Sequence, residues 1–167
     1  MKDLKRDTDV LIVGGGPAGA SAAISLRQNS MFDVTLIDKA EFPRDKACGD
    51  GLSPGIVELV RELGVKNLFD DLPICDSYTI IGPDSTAASG SINENAPSKS
   101  SRIAQAKNQT VDISGGYVMP RRVFDAALLS RAEECGVKIL PQHSFKSLQQ
   151  SNGGITVTAK TPDEKQL

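Results

Sequence analysis

Three glycines, Gly14, Gly16 and Gly19, stand in the spacing G-x-G-x-x-G, directly after the apolar run Val10–Val13 and at the head of a segment rich in helix formers. In that setting each has a steric task. Gly14 permits a tight turn, Gly16 lets the main chain approach a diphosphate, and Gly19 lets the following helix lie close to the strand. Free N–H groups at the helix start meet the anion, and the helix dipole adds about 0.3–1 kcal/mol per favourable charge, which orients it. Asp38 ends the next apolar run about 20 residues beyond the glycines, where a carboxylate accepts hydrogen bonds from ribose hydroxyls and repels a 2′-phosphate. The pattern predicts a dinucleotide with free ribose hydroxyls, FAD or NAD rather than NADP. The plainer reading is a glycine-rich turn beside a solvated acid; the surrounding strand, helix and strand weigh against it.

Those elements follow from composition. Val10–Val13 is a continuous apolar run, the pattern of a strand covered on both faces in a parallel sheet. Pro17 suits a first helical turn, and Ala22, Ala23 and Leu26 can share one helical face. Val34, Leu36 and Ile37 make the second strand of a right-handed βαβ unit. Residues 39–50 read as a long loop, and Ser53-Pro54 as a helix start, with Ile56, Val57, Leu59, Val60 and Leu63 in helical period before Gly64. Residues 78–81 read as a strand, and 84–109, poor in large apolar side chains, as a mobile insertion. A helix is predicted from Arg121 or Arg122 to Cys135, with Phe124, Leu128 and Ala132 on one face and Gly136 as its stop. A strand at 137–140 should return to the parallel sheet, followed by a hairpin of residues 145–148 and 155–159.

The chain's 167 residues fit one ordinary domain, and 19 Lys+Arg against 21 Asp+Glu supply no field for a polyanion, so nucleic acid is not an expected partner. Three widely spaced cysteines, Cys48, Cys75 and Cys135, form neither a disulfide framework nor a metal-ligand pattern. No metal is expected, and a reducing compartment, the cytoplasm, is. The charged N-terminus excludes a signal peptide there, and no stretch approaches the ~20 apolar residues of a membrane span, leaving only peripheral membrane contact. His143, the single histidine, follows Pro141-Gln142 and reads as a loop residue.

A second constellation is Phe42-Pro43-Arg44-Asp45-Lys46-Ala47-Cys48-Gly49-Asp50-Gly51-Leu52-Ser53-Pro54. Glycines around Asp50 let main chain approach a flat ring or a phosphate, and Arg44 and Lys46 can balance anionic charge. An ordinary surface loop before a helix cap explains the same residues equally well. Together with the stretch from Asp9 to Gly19 and with Asp38, however, this loop resembles the geranylgeranyl reductase family of flavoproteins. The stretch Gly116-Tyr117-Val118-Met119-Pro120-Arg121-Arg122-Val123-Phe124-Asp125 is similar to that family's next signature, in the expected order.

The resemblance implies an α/β Rossmann-like FAD-binding fold of the para-hydroxybenzoate hydroxylase type, with residues 1–71 and 119–167 in the FAD domain and 72–118 beginning an inserted, β-rich substrate domain. It implies FAD contacts at Gly14, Gly16, Ala18, Gly19, Asp38 and Lys39. Further contacts are implied at Arg44, Cys48, Gly49, Gly51 and Arg121, with Phe145 near the adenine. Arg121 is preferred to Arg122, which reads as a solvated helix residue. Cys48, between basic residues in a Gly-rich loop, is the candidate catalytic thiol, though a lone cysteine is more often merely small. The implied reaction is hydride transfer from reduced flavin to an isoprenoid double bond on a lipid, chlorophyll-precursor or menaquinone side chain, the loop looking closest to the menaquinone-reducing branch. The implied electron source is an external reductant, NAD(P)H or ferredoxin-like. Two alternatives are an FAD-dependent monooxygenase or halogenase and a non-catalytic FAD-binding fragment, since the chain stops before the family's later flavin-contacting motifs.

Overall fold

The computed structural model describes residues 7–75, 77–81, 83, 87–91 and 116–161. In chain order its elements are β1 (Val10–Val13), α1 (Pro17–Asn29), β2 (Val34–Ile37), β3 (Gly51–Leu52), α2 (Pro54–Glu62), β4 (Ser77–Ile81), β5 (Ala87–Ser91), β6 (Tyr117–Val118), α3 (Arg121–Glu134), β7 (Lys138–Leu140), β8 (Ser144–Ser151) and β9 (Gly154–Lys160). They gather into two compact units, Met1–Ala47 with Arg121–Leu167, and Cys48–Pro120.

The first unit is built on a parallel sheet of order β1-β2-β7. All four residues of β2 are buried, as a strand with a neighbour on each side should be. β1 departs from expectation: it borders the described sheet, and Val13 is 54% exposed. An apolar run announces a strand without saying how many neighbours it has. On α1 the buried residues are Ala20, Ala23 and Ile24, while Ala22 is exposed, so the face toward the interior is turned from the expected one. α1 packs on α3, where Ala132 is fully buried, and alanines on both helices allow the close approach. The expected stripe of α3, Phe124, Leu128 and Ala132, is buried as its period requires.

α3 ends as predicted at Gly136, whose φ of 85° is the left-handed cap conformation. The amide of Gly136 donates to the Glu133 carbonyl and that of Val137 to the Ala132 carbonyl, so the last turn is closed by main chain. Arg27 reinforces it from α1. Its Nε donates to the Cys135 carbonyl at 3.1 Å and its Nη1 to the Phe32 carbonyl at 2.6 Å. Since a cation on helix-terminal carbonyls is favourable and both bonds are charge-assisted, Arg27→Ala should lower stability by about 1–3 kcal/mol. Urea denaturation should show a lower midpoint with an unchanged slope.

In the second unit β3 pairs antiparallel with β6, and Cys75 bridges to Gly116. Val57 and Val60 of α2 are buried with Leu63, Val65 and Phe69, and the Phe69 ring lies 5.1 Å from that of Tyr117. This packing places α2 with the 48–120 unit. Ile56 and Leu59, expected to share the helix's apolar face, are exposed. Within the stretch expected to be a mobile insertion, β5 pairs antiparallel with β4. Its sequence, Ala-Ala-Ser-Gly-Ser, carries no large apolar side chain to signal a strand. Residues 84–86 and 92–109 of that stretch lie outside the described residues. The expected hairpin is β8 with β9, longer than the sequence suggested and joined at Asn152-Gly153. Among the described residues no helix is long and apolar enough to cross a membrane.

Candidate dinucleotide site

The turn between β1 and α1 is fastened from below. The Gly14 amide donates to the Ile37 carbonyl at 2.8 Å, tying the end of β1 to the end of β2, and Gly14 adopts a φ of 110° that L-residues avoid. The Asp38 carboxylate, 8% exposed, then accepts from two main-chain amides, Gly15 through Oδ2 and Ala40 through Oδ1, each at 2.7 Å. Asp38 therefore braces the glycine turn itself, a duty the sequence did not reveal. Each carboxylate oxygen still has acceptor capacity for a ribose hydroxyl, because two lone pairs serve each oxygen.

A Cβ built on each glycine separates their tasks. At Gly19 it would sit 1.9 Å from the Gly14 carbonyl oxygen, so only glycine permits this strand-to-helix contact. At Gly16, whose φ is an ordinary −73°, the Cβ would meet only the Nη2 atoms of Arg44 and Arg121, each 3.7 Å away. Gly16 is the N-cap of α1 and makes no side-chain capping bond, and the first helical bond runs from the Ala20 amide to its carbonyl. The space over Gly16 is thus bounded by helix-start amides and two guanidinium groups. Their common charge suits a diphosphate.

The arginines are held by a residue the sequence reading missed. Asp125 is fully buried on α3; its Oδ1 accepts from Arg121 Nε at 2.7 Å and its Oδ2 from Arg121 Nη2 at 3.0 Å, with Arg44 Nη2 3.3 Å from Oδ2. Arg44 also lies over the Phe42 ring, 4.8 Å from its centroid, within cation–π range. Arg44 Nη1 is buried without a hydrogen-bond partner. A signal for Asp125 existed: an acid four residues after Arg121, set between Phe124 and Leu128 on the apolar side of the helix.

Among the other expected contacts, Ala18 and Lys39 are exposed, one in the first turn of α1 and one just after Asp38. Arg121 is half-buried at the start of α3, and Arg122 is exposed. Phe145 is partly exposed at the start of β8. The preceding segment is tied to the Asp38 turn, with the His143 amide donating to the Asp38 carbonyl and the Gln142 amide to that of Ala40. His143 lies in that connection, its Nδ1 2.7 Å from the Pro141 carbonyl. Cys48, Gly49 and Gly51 belong to the other unit: Cys48 is an exposed thiol outside any disulfide, Asp50 between the glycines takes a left-handed φ of 55°, and Gly51 pairs with Val118.

Comparison with known proteins agrees with this chemistry. The FAD binding domain model matches residues 7–166. A menaquinone reductase of Mycolicibacterium smegmatis is 50% identical over 62 residues, 37% of this chain and 15% of that protein. Digeranylgeranylglycerophospholipid reductase 2 of Methanosphaera stadtmanae is 29% identical over 155 residues, 91% of this chain and 34% of that one. A geranylgeranyl bacteriochlorophyll reductase-like structure from Thermoplasma acidophilum overlays with a TM-score of 0.68 at 24% identity, over 93% of this chain and 35% of the other. Solved flavin-dependent halogenases share the fold with TM-scores of 0.70, so the fold by itself does not choose the reaction. The chain spans about a third or less of the length of these relatives. The resemblance to geranylgeranyl reductases thus extends to named relatives, FAD is the cofactor, and the chain belongs to the FAD binding domain family.

Proposed function

We propose that this chain supplies the dinucleotide-binding front of a flavin-dependent reductase acting on isoprenoid carbon–carbon double bonds. The observation that carries the reading is the cradle over Gly16, with helix-start amides beneath and the Nη2 ends of two guanidinium groups above. The FAD diphosphate rests there. Asp38 takes the adenosine ribose, Lys39 and Ala18 border the nucleotide, and Phe145 lies on the adenine side. Cys48, Gly49 and Gly51 are assigned to the cofactor through the family motif, with the exposed thiol of Cys48 as the catalytic candidate. Bound and reduced, the flavin would deliver hydride to one alkene carbon while a proton reaches the other. The chain's own contribution is to hold the diphosphate and ribose so that the ring cannot wander, since positioning lowers a barrier by several kcal/mol.

The names of the similar reductases support a prenylated substrate, the side chain of menaquinone or a geranylgeranylated lipid. An external reductant, NAD(P)H or a ferredoxin-like protein, would restore the flavin. The test is to reduce the flavin-loaded protein without oxygen and offer each prenyl substrate. Flavin reoxidation with saturation of one double bond, seen by mass spectrometry, is expected. If reoxidation waits for oxygen and the product is hydroxylated or halogenated with its alkene intact, the monooxygenase or halogenase alternative takes its place.

A further inference from the structure

We infer that Asp125 is a positioning residue for the cofactor's diphosphate, holding Arg44 and Arg121 so that the Nη2 ends of both guanidinium groups face the space over Gly16. The inference rests on the FAD reading above and adds a residue that the motif did not assign.

Simple electrostatics argues against an acid here. The FAD diphosphate carries two negative charges, and a carboxylate behind the arginines reduces the cluster from two positive charges to one. If net field alone mattered, removing Asp125 would tighten binding. Geometry points the other way. Both Nη2 atoms approach Asp125 Oδ2, Arg121 at 3.0 Å and Arg44 at 3.3 Å, so two like charges share one counter-ion in a small volume. Without it they repel, and long, flexible stems that are already partly exposed, 18% for Arg44 and 14% for Arg121, can carry their heads into water. The Phe42 ring fixes the Arg44 guanidinium from another side. The two Nη2 groups that flank the space over Gly16 are charged donors, and a phosphate oxygen is the acceptor that suits them. Asp125 and Phe42 together hold these donors in place before the ligand arrives.

A purely structural duty, an ion pair fastening the loop of Arg44 to α3, is the competing account. A double-mutant cycle on FAD binding by the chain separates the two, using flavin fluorescence to measure affinity and circular dichroism with thermal melts to follow the fold. Asp125→Asn and Arg44→Met should each weaken FAD tenfold or more, and the double variant should lose little beyond either. Additive losses would assign Asp125 to the fold and overturn the inference; unchanged or tighter binding by Asp125→Asn would overturn it as well. Arg44→Lys answers independently of whether the Asp125 variants fold. It keeps the charge but cannot face Asp125 and a phosphate at once, so it should bind as poorly as Arg44→Met, and wild-type affinity would count against the idea. If the unaltered chain bound no FAD, the FAD reading itself would fall; if it bound and only the coupling were missing, the role of Asp125 alone would.

Discussion

Gly16→Ala is expected to cut FAD affinity by at least a hundredfold while leaving the fold of the chain in place. The backbone at this position has a φ of −73°, which any L-residue adopts, so the substitution brings no conformational strain. The new methyl would meet the Arg44 and Arg121 Nη2 atoms at 3.7 Å, ordinary van der Waals contact, so nothing in the free protein must move. It would nevertheless occupy the space the diphosphate needs. Pushing the phosphates outward breaks charge-assisted hydrogen bonds to helix-start amides and guanidinium groups, each worth about 1.5–3 kcal/mol. Losing two of them costs roughly 3–6 kcal/mol, and about 1.4 kcal/mol is a factor of ten in binding. A flavin fluorescence titration beside far-ultraviolet circular dichroism tests both halves. Unchanged binding would remove the diphosphate from this corner, and lost secondary structure would show that Gly16 serves the fold.

The outcome bears on what a sequence can disclose. The glycine spacing, Asp38 and the strand-helix-strand alternation were legible because each reflects a local rule: backbone freedom at fixed offsets, a strand-end acid, apolar periodicity. Helix ends were legible for the same reason, since Gly64 and Gly136 both take the left-handed conformation that stops a helix. Non-local arrangements were not. The bordering position of β1, the α1 face turned toward Ala20 and the assignment of α2 to the second unit depend on which elements become neighbours, and no local pattern encodes that. The same limit hid Asp125. Arg44 and Asp125 are far apart in the chain, and their ion pair exists only once β2 and α3 have been folded into one unit. Asp38 shows a third kind of gap: its place at the strand end was legible, yet its two bonds to the Gly15 and Ala40 amides arise from turn geometry that spacing does not specify.

Gly19→Ala should behave in the opposite way, damaging the fold first and binding only as a consequence. Its Cβ would lie 1.9 Å from the Gly14 carbonyl oxygen and 3.3 Å from Ile12 Cγ2. The first of these is main chain, which cannot rotate aside as a side chain does. Gly14 is in turn fixed by the hydrogen bond its N–H donates to the Ile37 carbonyl, so relief requires either the β1 to β2 junction to open or α1 to withdraw. Withdrawal lifts Ala20, Ala23 and Ile24 from full burial, and overpacking at such a site costs about 1–3 kcal/mol, here at the upper end because backbone must yield. About 3 kcal/mol is a large share of the 5–15 kcal/mol that holds an ordinary domain folded. The urea midpoint should fall steeply and saturating FAD should recover only part of it, because the helix start that receives the diphosphate has itself moved. Gly16→Ala and Gly19→Ala therefore separate two duties within one motif, and equal stability of Gly19→Ala and wild type would show that α1 does not depend on this close approach.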